Sequence, residues 1–139
     1  MGLVYASIKL INDRDTGRFE DGLIPKEQIR QLQVDALVDS GAYMLVINQN
    51  IQTQLGLKKK KTQSAQLADG SVVQMDIVGP IEVLFENRSA TCNAMVIPGD
   101  NEVLLGAIPM EEMDVLIHPK ENKLIVNPSH PYQAMVKLK

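Results

Sequence analysis

The sequence contains no tryptophan, a single cysteine and no long apolar run. Cys92 cannot form a disulfide within the chain, and a lone cysteine is typical of a reducing compartment. No stretch approaches the roughly 20 consecutive apolar residues that a membrane-spanning helix needs. The first ten residues lack the basic segment that opens a signal peptide. We therefore expect a cytoplasmic protein with no membrane partner.

Positive charge is also scarce. The net charge is −3 and the isoelectric point is near 5.3, so the composition gives no reason to expect a nucleic-acid partner. The only basic block, Lys58 to Lys61, has no interleaved aromatic residues and is typical of a solvated edge. With two phenylalanines and three tyrosines, the chain offers no aromatic cluster for a carrier of small molecules.

What the chain does have is many short apolar stretches with a period of two, which is typical of half-buried strands. Its 139 residues, 45% of them hydrophobic, suffice for one globular domain. Predicted strands cover residues 4–10, 32–38, 44–47, 104–107, 115–117 and 124–126, with two hairpins that turn at Ala68-Asp69-Gly70 and at Asn87-Arg88. Two short helices are predicted, over 49–55 between an Asn48 cap and Gly56, and from Pro109 to Met113. The pattern favours a mostly-β barrel or sandwich.

Two similar tripeptides contain an aspartate and a glycine. Asp15-Thr16-Gly17 lies in the segment NDRDTGRFEDG, which has charged residues on both sides. Such a segment is typical of a loop between strands. We expect the Asp15 carboxylate to be solvated and to keep an ordinary pKa.

Asp39-Ser40-Gly41 has the opposite setting, because an apolar strand precedes it and another follows. Gly41 permits a tight turn, and the turn offers backbone N–H donors to a carboxylate that is withdrawn from water. An aspartate that merely caps the turn with its own side chain is the structural alternative. The residues alone leave both interpretations open.

The segment from Val38 to Ala42 resembles the active-site motif of aspartic proteases. Leu104-Leu105-Gly106 resembles the second signature of that family, and the hairpin tip from Ala68 to Ser71 stands where the family carries its flap. Order and spacing match the single-lobed, retropepsin-like branch from about Leu3 to Pro128, most closely its small bacterial members. The resemblance implies an acid-protease fold, a closed β-barrel or sandwich with two short helices and one lobe per chain.

The resemblance also implies a role for each matching residue. Asp39 would be catalytic and would share a water with a second aspartate, while Ser40, Gly41 and Ala42 would hold it in place. Ala68, Asp69, Gly70 and Ser71 would cover an extended peptide. Because the chain has only one such acid, its partner would be the Asp39 of a second copy, in a homodimeric endopeptidase. The alternative is a catalytically silent dimer that serves as a peptide-binding or assembly module.

No metal or other cofactor is implied by the resemblance. His118 and His130 lie in predicted loops, offer no ligand cluster with Cys92 and are expected at the surface. The predicted protease domain spans residues 1–128. In the tail, residues 129–139, apolar and polar residues alternate, and by the resemblance this tail is a candidate strand of a dimer interface. A loosely attached tail is the alternative.

Overall fold

The computed structural model describes residues 2–99, 101–136 and 138. Its strands are β1 (Tyr5–Asn12), β2 (Gln31–Val38), β3 (Leu45–Asn48), β4 (Lys58–Gln66), β5 (Val72–Phe85), β6 (Arg88–Ile97), β7 (Val103–Leu105), β8 (Val115–His118) and β9 (Lys123–Val126). Its helices are α1 (Asp13–Glu20), α2 (Gln49–Leu55) and α3 (Ala107–Met113), with one 3-10 turn at Lys26–Gln28.

Six strands close into a barrel in the order β1, β2, β7, β3, β6, β5. Closure occurs because β1 pairs with β2 on one side and with β5 on the other. The long strand β5 also extends beyond the barrel, where it pairs with β4 at the edge of the sheet. Strands β8 and β9 form a separate hairpin. The prediction of a mostly-β, closed-barrel fold is confirmed.

The barrel interior is filled by the apolar residues of the alternating strands. On β1, Ala6, Ile8 and Leu10 are buried while Tyr5 and Ser7 face outward. On β3 and β5, Ile47 and Ile81 are likewise fully buried. Each large aliphatic side chain buried in this way contributes roughly 1.5 to 3 kcal/mol to stability. The period of two in the sequence therefore reflects the two faces of the barrel wall.

Helix α2 begins and ends where its sequence predicts. The Asn48 side chain accepts a hydrogen bond from the backbone N–H of Ile51 at 2.9 Å, which caps the helix. Gly56 ends the helix in the left-handed conformation, with φ of 62°. Both predicted hairpins are also present, as is an irregular register near Gly79-Pro80, between Val78 and Ile81.

One prediction of a loop is wrong, because residues 13–20 form helix α1. Asn12 caps the helix by accepting a hydrogen bond from the Asp15 N–H at 3.2 Å. Asp13 lies in the first turn and Arg18 in the last, where each complements the helix dipole. The fold accordingly contains three α-helices in the described part of the chain, where the sequence predicted two.

The tail beyond β9 folds back toward the turn between β5 and β6. The Asn87 side chain donates a hydrogen bond to the carbonyl of Pro131 at 3.1 Å, and Arg88 donates one to the carbonyl of His130. Residues 132–136 form no strand within this chain, and Tyr132 and Leu138 are 90% and 95% exposed. Lys137 and Lys139 lie outside the described residues. Helices long and apolar enough to cross a bilayer are absent from residues 2–99, 101–136 and 138.

Candidate active site

The Asp39 turn lies at the point where three strands of the barrel meet. Strand β7 runs between β2 and β3, parallel to β2 with Val38 opposite Leu105 and antiparallel to β3 with Val46 opposite Leu104. The chain that leaves β2 must therefore pass over the end of β7 before it enters β3. Residues 39–44 form this connection, which we call the Asp39 turn.

Backbone hydrogen bonds hold the aspartate in this turn. The Asp39 N–H donates to the Leu105 carbonyl at 3.0 Å, and the Ala42 N–H donates to the Asp39 carbonyl at 3.1 Å. The Asp39 Oδ1 accepts from the Gly41 N–H at 2.9 Å. Within the described residues, this is the one hydrogen bond that the carboxylate accepts, and the side chain is half-buried. The second oxygen, Oδ2, is thus available to a ligand.

The second segment of the predicted signature packs directly against the Asp39 turn. The Ala107 N–H donates to the Ala42 carbonyl at 2.8 Å, and the Ile108 N–H donates to the Tyr43 carbonyl at 3.0 Å. A Cβ atom at Gly106 would lie 2.2 Å from the Met44 carbonyl oxygen, so only glycine allows this approach. Helix α3 therefore begins on the turn and fixes its backbone.

A mostly apolar cleft of about 320 Å³ lies beside Asp39. Its walls include Leu3, Val38 and Ile117, and Asn122 supplies a polar group. Leu3 is 70% exposed. Among the described residues that line this cleft, Asp39 is the one acid. Ser40, the next residue after Asp39, is exposed.

The tip between β4 and β5 is an ordered turn. The Leu67 N–H donates to the Ser71 carbonyl at 2.8 Å, and the Asp69 carboxylate accepts from the Ser71 hydroxyl at 2.6 Å and from its N–H at 2.9 Å. These hydrogen bonds from Ser71 lower the pKa of Asp69. The bonds found for residues 68–71 stay within the tip, so in the described chain none connects it to Asp39. The structure brings the two signature segments together through hydrogen bonds, and none of the hydrogen bonds in the described chain connects the tip to them.

A second cleft, of about 450 Å³, also borders the Asp39 turn, at Tyr43 and Met44. We call it the Lys61 pocket, and its lining includes Tyr43, Met44, Lys61, Gln63, Ile108 and Pro109. Sequence reasoning did not find this pocket. Its walls come from segments far apart in the chain, and no motif connects them.

The other tripeptide differs from its prediction. Only 2% of the Asp15 side chain is exposed. Its carboxylate accepts hydrogen bonds from Arg30 Nε at 2.8 Å, Arg30 Nη2 at 3.0 Å, the Arg30 N–H at 3.0 Å and Arg18 Nη1 at 3.1 Å. The hydrogen bonds from the Arg30 side chain are the main reason why the pKa of Asp15 is lowered. The expectation of a solvated carboxylate with an ordinary pKa is wrong, because a distant arginine folds onto it.

The remaining candidates for chemistry do not converge on Asp39. Burial raises the pKa of the Cys92 thiol to about 12, so the thiol stays protonated near neutral pH. His118 and His130 were expected at the surface, but both are partly buried. His130 Nδ1 lies 2.6 Å from Asp114 Oδ2. Hydrogen bonds, chiefly from Asn127, hold the pKa of Asp114 near 2.

Comparison with known protein families gives one match. The model of the family described as "gag-polyprotein putative aspartyl protease" matches residues 26–112. This span includes the Asp39 turn, the hairpin with its tip at residues 68–71, and the Leu104-Leu105-Gly106 segment. No curated protein matches the chain. The matched span is more than half of the sequence, and the structure has a closed barrel in which the Asp39 turn passes over the end of β7. The chain therefore belongs to the retropepsin-like aspartic protease family.

Proposed function

We propose that the protein is a homodimeric aspartic endopeptidase in which the Asp39 carboxylates of two chains activate one water molecule. The observation that carries the proposal is the Asp39 turn itself. Leu105 and the start of α3 fix its backbone, while the carboxylate accepts one hydrogen bond from the described residues. A catalytic acid or base requires a fixed backbone position and a carboxylate oxygen that is available to the substrate or water.

The reaction needs two carboxylates and one proton between them. Two such groups at close range cannot both ionise, so the couple holds a single proton. The ionised member accepts a proton from water as the water oxygen attacks the peptide carbonyl, and the protonated member donates toward the carbonyl oxygen. As the tetrahedral intermediate collapses and the C–N bond breaks, the carboxylate that took the water proton gives it to the leaving amine, and a hydroxyl proton of the intermediate returns to the other carboxylate.

The second carboxylate must come from another molecule, since the cleft beside Asp39 contains no further acid among the described residues. Two-fold symmetry places identical residues opposite each other at the axis. The exposed apolar side chains near Asp39, including Leu3 and Ile117, would then be covered by their counterparts. Ser40, exposed beside the acid, would donate its hydroxyl hydrogen bond across the axis.

The other predicted residues have supporting roles in this proposal. The N–H of Gly41 positions Oδ1 of Asp39, and the carbonyl of Ala42 ties the turn to α3. The tip, residues 68–71, would close over a substrate that binds as an extended strand. In the tail, the exposed residues Tyr132, Met135 and Leu138 would add apolar surface to the dimer.

Subunit mixing tests the proposal directly. Wild-type protein is mixed with an equal amount of Asp39→Asn protein and equilibrated, and peptide hydrolysis is then measured. Random pairing leaves about half of the wild-type chains in all-wild-type dimers, so activity per wild-type chain should fall to about half. With a ninefold excess of the variant it should fall to about one tenth. Unchanged activity at both ratios would show that each chain acts alone.

Dilution supplies a second test. Peptide binding without cleavage would support the alternative, a catalytically silent peptide-binding module. Specific activity should fall once the concentration drops below the dimer dissociation constant. If the wild-type protein binds an extended peptide across acidic to neutral pH and releases no product, the endopeptidase proposal fails and the peptide-binding module is supported instead.

A further inference from the structure

The Lys61 pocket borders the Asp39 turn. Tyr43 and Met44, which form one wall, belong to the Asp39 turn, and the Ile108 N–H is bonded to the Tyr43 carbonyl. Lys61 and Gln63 of β4, the strand that leads to the tip, also line the pocket. An extended chain that runs between the turn and the tip would therefore direct a side chain into this pocket.

The lining of the pocket combines apolar side chains with polar ones, such as Gln63 and Asn93, and with one cation. Met44, Ile108 and Pro109 provide aliphatic surface next to the turn. Lys61 is the one charged residue among those that line the pocket in the described chain, and it is exposed. A side chain that fits both features has methylene groups along its stem and a negative charge at its end.

The charge of Lys61 is not neutralised within the part of the chain that the structure describes. On the same strand, Lys59 pairs with Asp76 at 3.4 Å, whereas Lys61 has no ion pair among the described residues. Glu112 accepts a hydrogen bond at 3.0 Å from the N–H of Thr91, a residue that lines the pocket. The described lining of the pocket therefore carries one positive charge, on Lys61, that no ion pair neutralises.

We propose that the Lys61 pocket is a specificity subsite for an acidic substrate side chain, with glutamate preferred. The glutamate methylenes would pack on Met44, Ile108 and Pro109 while the carboxylate pairs with Lys61 Nζ. Aspartate is one methylene shorter, so its carboxylate would reach less far toward Lys61. The inference rests on the proposed protease function and adds a substrate class to it: peptides with an acidic residue at one fixed position from the cleaved bond.

Cleavage of a mixed peptide library tests this subsite. The wild-type protein should cut bonds with glutamate enriched and lysine depleted at one position, by about fivefold, as expected for an exposed ion pair. Lys61→Glu should reverse the preference at that position and leave the other positions unchanged. Lys58→Glu is the matched control, because it makes the same charge change on β4 at a residue that does not line the pocket. Cleavage without an acidic preference, or a preference that Lys61→Glu does not alter, overturns the inference while the protease function stands.

A binding measurement separates this inference from the protease function. Asp39→Asn protein is titrated with peptides from a set that varies one position at a time among glutamate, glutamine and lysine. Glutamate should bind about fivefold more tightly than lysine at one position, and Lys61→Glu in the same background should invert that order. If the wild-type protein cleaves nothing but this pattern is found, the subsite stands and the protease fails. Equal affinity at every position contradicts the subsite.

Discussion

Two tripeptides of nearly the same sequence have opposite environments in this molecule. The Asp15 carboxylate is buried in helix α1 and accepts four hydrogen bonds from two arginines. The Asp39 carboxylate is half-buried in a turn and, from the residues that the structure describes, accepts one, from its own Gly41. Because the two arginines already compensate its charge and donate hydrogen bonds to it, Asp15 serves as a structural anchor. The sparse coordination of Asp39 leaves it free to act on a ligand, so the two aspartates should respond to the same substitution in opposite ways.

The largest contrast is expected in catalysis. Asp39→Asn should reduce peptide cleavage by about a thousandfold or more, because the amide cannot accept the proton of the attacking water. Its melting temperature should stay close to that of the wild type, since the side chain is half-buried and Asn can still accept the Gly41 hydrogen bond. Initial rates and thermal unfolding of the same samples measure both effects.

Asp15→Asn is the matched control for that experiment. Its rate per folded molecule should equal the wild-type rate, because Asp15 lies in α1 and outside the lining of the Asp39 cleft. Full cleavage by Asp39→Asn would refute the assigned roles. So would a thousandfold loss in Asp15→Asn after correction for the folded fraction.

The next contrast is in stability. Asp15→Asn should lower the free energy of unfolding by about 2 kcal/mol, since it leaves the guanidinium and N–H groups around a buried site without a carboxylate. This expected loss is smaller than for a fully buried ion pair, because the side chains of Arg18 and Arg30 are 40% and 45% exposed. Denaturant titration measures the loss. Asp21→Asn, at an exposed position after α1, should change stability little, and an equal loss there would contradict an anchoring role for Asp15.

Acid should remove the difference in unfolding free energy between the wild type and Asp15→Asn. The pKa of Asp15 is lowered in the folded state, chiefly by hydrogen bonds from Arg30. Its contribution is therefore fully present above the unfolded pKa of about 3.9 and is lost as the pH falls through the lower folded value. Unfolding curves from pH 6 down to pH 2 should show the stability gap narrowing below about pH 4. A gap that stays constant would mean that Asp15 acts through packing and not through its charge.

These two regions also show what could be predicted from the sequence. The strands, the Asn48 cap and the family motif were predictable because each depends on neighbouring residues or on a fixed local pattern. Helix α1 was not, because Gly17 and the surrounding polar residues favour a loop locally, and the stabilising partner Arg30 lies beyond the 3-10 turn. The Lys61 pocket was also beyond reach, since its walls meet only after the barrel closes. That Asp39 is the catalytic acid stays a prediction.

The smallest contrast concerns the glycines of the two tripeptides. A Cβ atom at Gly17 would have no atom within 4 Å, so Gly17→Ala should stabilise α1 by about 0.5 to 1 kcal/mol through lower unfolded-chain entropy. A Cβ atom at Gly41 would lie 3.2 Å from Asp39 Oδ1, close enough to displace the carboxylate that Gly41 positions. Gly41→Ala should therefore reduce cleavage with little change in stability, which rate assays and thermal unfolding would separate. A loss of activity in Gly17→Ala, or none in Gly41→Ala, would contradict the distinction between an anchored acid and a reactive one.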